Sequence, residues 1–261
     1  SNLENNNTKG FEITIKQGSM HDLELAGTTI NLRREEDDIK TTSLLRTRGK
    51  FNFSQIKEIS TLFGLNISNF KDINGTADVK TNINFDLDKK FKIKNLSYSM
   101  DGDIAYFELH TDEKRTIKKY LPKYDSKIIF KDTRIKLINS KSGHNTELSG
   151  LLMIEEDFDS FKIKEVYNYD KKNFKVDGII DLTNPQLKVS QLNYKKKRGE
   201  KSELDFNINF VLNKYYNITN LNFLSGRNKI HLSDVKLNKK LEVLDFKKLE
   251  IKTFLDEIKN N

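Results

Sequence analysis

The chain has 261 residues, a formal net charge of +8, 32% charged and 36% hydrophobic residues, and no cysteine. Without cysteine, disulfides and thiolate metal sites are excluded. The 17 Phe and 9 Tyr exclude a wholly disordered chain, while the low apolar fraction implies much surface per unit of core.

Taken in chain order, the pattern is that of strands. Phe11, Ile13 and Ile15 alternate with polar residues and are followed by a turn signal at Gln17-Gly18. Glu35-Glu36-Asp37-Asp38 reads as a solvated loop. Ser54 is placed to cap a helix over Gln55 to Gly64, with Ile56, Ile59, Leu62 and Phe63 on one stripe. Val79, Thr81, Ile83, Phe85 and Leu87 form the first long alternating strand. Asp101-Gly102 reads as a hairpin turn, and Asp112 to Tyr120 as a short helix stopped before Pro122. That linker, near 111–127, is the one place where a sub-boundary is expected. Ser142-Gly143 and Ser225-Gly226 are further turn signals. Between them lies the second long alternation, Leu204, Phe206, Ile208, Phe210 and Leu212, and Ile230-Leu232 follows. Near the end, Ile251, Phe254, Leu255 and Ile258 have helical spacing. Period-two alternation leaves one face of a sheet apolar and the other wet, as in antiparallel sheets.

An internal repeat organises these strands. Residues 84–96 read NFDLDKKFKIKNL and residues 209–221 read NFVLNKYYNITNL, identical at seven of thirteen positions. A looser copy of the second strand begins at Phe91, Phe161, Leu187 and Tyr216. A single hairpin cannot bury its apolar face, whereas stacked hairpins share one continuous strip. The expected fold is mainly β: an elongated, curled antiparallel sheet of repeated hairpins over residues 1–261, with a few short helices. If nothing fills the concave side, that side is a groove for apolar chains. Phe85, Leu87, Ile93, Phe206, Ile208, Phe210, Leu212, Ile218 and Leu221 are the expected lining.

Catalytic chemistry finds no foothold. His21, His110, His144 and His231 are isolated and read as surface or turn histidines. Asp101-Gly102-Asp103 lacks the later ligands of a calcium loop. No nucleophile elbow, phosphate loop or dinucleotide fingerprint occurs. The expectation is a protein that is not an enzyme, with no catalytic residue, no metal and no cofactor. Lys195, Lys196, Lys197 and Arg198 are the densest basic cluster and read as a charged hairpin loop, able to meet phosphates of lipid heads. The positive charge is interleaved with Asp and Glu along the chain, so no nucleic acid is expected as a partner. There is no apolar window of about 18 residues, hence no membrane span. Ser1 to Asn7 is not a signal peptide, and the uncapped ends read as those of a piece of a longer chain.

Several stretches together resemble the AsmA-like superfamily, specifically its YhdP-like branch of large envelope proteins. Asp181-Leu182-Thr183 followed by LKVSQLNYKKKRGE is similar to a family stretch, with Leu192, Tyr194, Lys196 or Lys197, and Gly199 in matching places. The paired strands LDFNINFVL and YNITNLNFLSGRNKIHL follow. Asn74-Gly75-Thr76 and Lys119-Tyr120-Leu121-Pro122 also match. The resemblance spans most of residues 70–250, with Lys where relatives often have Pro in the Lys-Pro-x-Gly stretch, and with no Trp. It implies a β-taco fold with an apolar interior and a periplasmic body. It further implies an inner-membrane anchor outside this sequence, further segments of the same larger chain, and conduction of phospholipid by its acyl chains between inner and outer membrane. The alternative is a structural or adhesive β-repeat domain binding protein or glycan partners, which predicts a filled core instead of a groove.

Overall fold

The computed structural model describes residues 10–20, 22–62, 70–111, 115–190, 194–211, 215–238 and 242–252. Eighteen strands and two helices lie within them. In chain order the strands are β1 (Gly10–Ile15), β2 (Ser19–Met20), β3 (Leu23–Glu24), β4 (Thr28–Glu35) and β5 (Asp38–Asn52). Next come helix α1 (Phe53–Leu62), β6 (Phe70–Leu87), β7 (Ile93–Thr111), helix α2 (Arg115–Lys118), β8 (Lys127–Ser140) and β9 (Gly143–Met153). The series ends with β10 (Phe158–Asn168), β11 (Asn173–Asp181), β12 (Leu187–Val189), β13 (Tyr194–Lys196), β14 (Ser202–Val211), β15 (Tyr215–Ser225), β16 (Asn228–Leu237), β17 (Val243–Asp245) and β18 (Lys248–Lys252).

Sixteen strands form one antiparallel sheet, mostly an up-and-down meander in which each strand pairs with the next in sequence, and the sheet is not closed into a barrel. β12 and β13 form a separate two-stranded sheet, inserted between β11 and β14. The mainly β architecture of antiparallel hairpins with few short helices is therefore as the alternation predicts. On either side of the expected linker, β7 pairs with β8 from His110↔Lys127 to Tyr98↔Asn139. Among the described residues no helix is long and apolar enough to cross a membrane.

The two ends of the sheet differ. At one end, strands are joined by short turns at 36–37, 88–92, 141–142 and 169–172. At the other, which we call the cap end, the connections carry α1, α2 and the β12–β13 insertion. Helix α1 starts earlier than Ser54 suggests. Asn52 is the N-cap, because its Oδ1 accepts from Gln55 N–H (3.1 Å) and its own N–H donates to Gln55 Oε1 (2.8 Å). This reciprocal pair outcompetes a lone serine hydroxyl. Helix α2 has four residues inside the span 112–120, closed by Leu121 N–H donating to Ile117 C=O (2.8 Å) ahead of Pro122. Ile251 lies in β18, not in a helix. Phe63, Gly64, Phe254, Leu255 and Ile258 lie outside the described residues.

Each copy of the close repeat spans the join of a hairpin, but the registers differ: Ile93 pairs with Leu87, whereas its counterpart Ile218 pairs with Ile208. Residues 84–96 and 209–221 are two hairpins, β6–β7 and β14–β15, each with a register shift soon after its turn. Such a bulge bends the strand and increases its twist. The looser copies are not equivalent. Phe91 lies in the turn before β7, Phe161 in β10, which runs opposite to β7 and to the β15 of Tyr216, and Leu187 in the small sheet. Alternation records which residues share a face and is blind to strand direction.

Asp101-Gly102 is not a turn, for both residues sit inside β7. The glycine is needed for close approach: a Cβ there would stand 2.4 Å from Asp78 C=O and 2.6 Å from Val79 Cα of the neighbouring strand. Both are backbone atoms and cannot swing aside. Gly102→Ala is expected to cost about 2–3 kcal/mol of stability by overpacking. Gly178→Ala meets only the tip of the Phe206 ring, at 2.4 Å, which can rotate, and should cost about half as much. Urea unfolding of the two variants checks the order.

Candidate functional site

The cross-strand register assigns every sheet residue to a face. On one face stand Phe11, Ile13 and Ile15 of β1, Ile30 and Leu32 of β4, and Ile73, Val79, Ile83 and Phe85 of β6. It continues through Ile104, Phe107, Phe130, Ile135 and Leu137 to Leu148, Leu152, Phe161 and Ile163. Val176, Ile180, Leu204, Phe206, Ile208, Ile218, Leu221, Ile230, Leu232 and Val235 complete it. The opposite face carries Lys, Arg, Asp, Glu and Asn. Along β10, Ser160, Lys162, Lys164 and Val166 are exposed, while Ile163 and Tyr167 are half-buried and Phe161 buried.

Half-burial is the rule on the apolar face, because a second layer covers it only locally. Eleven apolar residues are buried among the described residues. The accessible surface is 17859 Å², against roughly 12,000 Å² for a compact monomer of this mass. The thirteen strands of the main path are spaced about 4.8 Å apart, so the apolar face is roughly 60 Å across.

Two aromatic rows cross this face. Toward the cap end, Phe51, Phe107, Phe130 and Phe161 follow one another at ring-centroid separations of 6.0, 5.6 and 5.3 Å. Toward the hairpin end, His144, Tyr167, Phe174, Phe210 and Tyr216 run across five adjacent strands at 5.4, 4.0, 4.7 and 5.6 Å. None of these residues except Phe210 was legible as lining, because cross-strand register is absent from the sequence. A connected polar set stands on the face toward the hairpin end: Glu165 Oε1 is 3.0 Å from His144 Nε2, His144 Nδ1 is 3.4 Å from Tyr169 Oη, and Tyr169 donates to Asn139 Oδ1 (2.5 Å).

The described lining residues Phe85, Leu87, Phe206, Ile208, Phe210, Ile218 and Leu221 do lie on the apolar face. Ile93 pairs with Leu87 at the hairpin tip and is 55% exposed. Leu212 lies outside the described residues. The two groups, on β6–β7 and β14–β15, are separated by the strands between them. They are parts of one strip rather than one pocket.

The cap is built by residues 182–201 folding onto the sheet. Leu182, Tyr194 and Phe223 form its core, packed by Ile154, Ile180, Leu187, Val189, Leu204 and Ile230. The basic cluster proves to be part of this cap and not a free loop. Lys196 is 2% exposed and donates to the carbonyls of Thr183 (2.8 Å), Pro185 (2.8 Å) and Lys197 (3.1 Å). Arg198 is held by Glu156 and Asp157. Of these four, Lys195 and Lys197 are the exposed ones with no ion pair to a described residue. Alternation placed Tyr194 and Lys196 on one face of β13, and the short strand turns that face inward. The segment Lys119 to Pro122 meets the cap through Lys188 N–H donating to Tyr120 C=O (2.9 Å).

Burial pushes the Lys196 pKa down, against the pull of Glu200, Asp159, Glu155 and Asp181. Burial also pushes Asp159 up to about 6, although Asn184 N–H and Nδ2–H donate to it. Asp159 thus holds its proton more tightly folded than unfolded. Its contribution to stability is full below its ordinary value near 4 and is lost as pH rises through 6. Wild type should lose up to about 3 kcal/mol between pH 4 and 7 relative to Asp159→Asn, measured by denaturant titration at both pH values.

His110, His144 and His231 sit in strands with partners Glu108, Glu165 and Asn222, not in turns; His21 lies outside the described residues. Among the described residues no group of three metal-ligating side chains gathers. A small open cleft of about 240 Å³ lies at the cap end beside Asp181, Ser202 and Gly226, away from the apolar face. No family model, no curated protein and no solved structure matches the chain.

Proposed function

We propose that the chain binds and conducts phospholipid by laying acyl chains along its apolar face. In this reading it is one segment of an AsmA-like envelope protein, periplasmic and anchored in the inner membrane. The observation that carries the reading is the contiguous apolar strip across thirteen strands, half-buried and covered only locally. Uncovered apolar patches of more than a few hundred Å² mark binding surfaces. The bulges in β6–β7, β8–β9 and β14–β15 support a curled sheet with that strip inside. The cap gathers the stretches that resemble the family: Asp181 to Thr183, Tyr194, Lys196 and Tyr120. At the two sheet edges, Phe11 and Ile13 of β1 and Val243, Leu244 and Leu249 of β17 and β18 are exposed. The β1 edge, with one charge in GFEITI, suits a sheet that continues into further segments of a larger chain, whereas Lys248, Glu250 and Lys252 make β18 a charged edge.

The mechanism needs no chemistry. A dozen methylenes, each half-covered, contribute about 5 kcal/mol at 0.8 kcal/mol per fully buried group. That holds one chain loosely and without specificity, so lipid slides between equivalent positions on the strip. The test is transfer from vesicles carrying labelled phospholipid, followed by flotation and counting of protein-bound label. Label that stays bound in about 0.5 M salt supports apolar capture, because ionic adsorption is screened there. Binding that vanishes with salt overturns the reading.

A further inference from the structure

Glu165 is out of place. It stands on the apolar face of β10, between Ile163 and Tyr167, opposite Thr146 of β9 and Val176 of β11. Its side chain is 23% exposed and that of His144 is 26%. Among the described residues no lysine or arginine pairs with it, and its one ion-pairing neighbour is His144 at 3.0 Å. A carboxylate only accepts hydrogen bonds, so His144 Nε2 is the donor. The partner is thus an imidazole, not an ammonium or a guanidinium. The lysines of strands β10 and β11, Lys162, Lys164 and Lys175, stand on the polar face, where Lys164 pairs with Glu147 and Lys175 with Asp177.

We propose that Glu165, with His144 and the Tyr169–Asn139 pair beside it, is the headgroup site of the apolar strip and takes an ammonium group. This rests on the lipid-binding reading above and names its substrate class: an amphiphile with a cationic amine in its head. Charge complementarity selects it. Of the two described carboxylates on this face of β10, Asp159 lies under the cap near Lys196, whereas Glu165 stands among apolar and aromatic neighbours with no lysine or arginine paired to it, and exclusion of water there strengthens an ion pair. Tyr167 and Phe174, stacked at 4.0 Å, flank it on the same face. From Glu165 the strip runs down β10 past Ile163 to Phe161 and the cap, giving the chain of the amphiphile its track. The ammonium displaces no cation and leaves the His144 bond in place.

The net charge of +8 makes the test discriminating, because the protein as a whole repels cations and attracts anions. Three probes with the same twelve-carbon tail serve: dodecyltrimethylammonium, dodecyl maltoside and laurate, each below its micelle concentration. Binding is measured by calorimetry at pH 8, above the usual range of imidazole, so that a protonated histidine does not compete. The ammonium probe should bind at least about tenfold more tightly than laurate. Glu165→Gln should erase that preference and leave the maltoside affinity unchanged, while Glu147→Gln on the polar face keeps it. Equal or tighter laurate binding, or a preference that survives Glu165→Gln, overturns the headgroup assignment while the strip still binds tails. Failure of all three probes, the neutral one included, removes the lipid-binding reading itself and this site with it.

Discussion

Lys196→Ala is expected to lower the unfolding free energy by about 3–5 kcal/mol, the range for removing one member of a buried charged cluster. The ammonium is the shared donor to three carbonyls, those of Thr183, Pro185 and Lys197. Without it they are buried with one partner fewer, and Glu155, Asp159, Asp181 and Glu200 lose the cation nearest to them. Lys196→Met keeps most of the volume and should cost less than the alanine variant, because apolar packing partly offsets the lost bonds. Lys195→Ala, one residue away and exposed, should change stability by no more than about 0.5 kcal/mol. Denaturant unfolding of the three variants decides the matter. A loss under about 1 kcal/mol for Lys196→Ala would return this lysine to the surface.

That contrast marks the limit of what the sequence shows. Lysines 195 to 197 are identical as letters, and only the pairing of β12 with β13 over the Phe223 ring turns the middle one inward. Strand alternation at Val79–Leu87 and Leu204–Val211 was readable because one face is apolar along the whole strand. The hairpin repeat was readable because both copies carry the same apolar alternation into a hairpin with a register shift, although the two registers differ. The Asp101-Gly102 turn was misread because a glycine demanded by a neighbouring backbone looks the same as a glycine demanded by a turn. The rows Phe51–Phe107–Phe130–Phe161 and Tyr167–Phe174–Phe210 were not readable, since each joins strands whose register is set by turns and bulges. Glu165 was passed over for a related reason: within β10 alone it is one charged residue among several.

The second large effect concerns binding. The double variant Phe206→Asp with Phe210→Asp should remain folded and lose at least about tenfold in retained lipid. Both rings are half-buried on the apolar face, Phe206 over Gly178 and Phe210 between Phe174 and Tyr216. Their removal exposes no closed core, so the expected stability cost is about 1–3 kcal/mol. Two carboxylates set into the strip would each have to lose water beneath an acyl chain, which makes that stretch hostile to it. Ile179→Asp, exposed on the opposite face, should leave lipid retention unchanged. Circular dichroism and thermal unfolding verify folding, and labelled-lipid retention after flotation gives the effect. Equal loss in the Ile179 variant would mean that the bound lipid does not lie on the apolar face.

Native mass spectrometry of the purified wild-type chain, paired with solvent extraction of lipid from the same sample, reads out occupancy of the apolar strip. A lipid-binding strip gives a series of masses above that of the chain, each offset by one phospholipid, with matching species in the extract. A single bare mass, unchanged after incubation with vesicles, would contradict it and favour a structural or adhesive β-repeat.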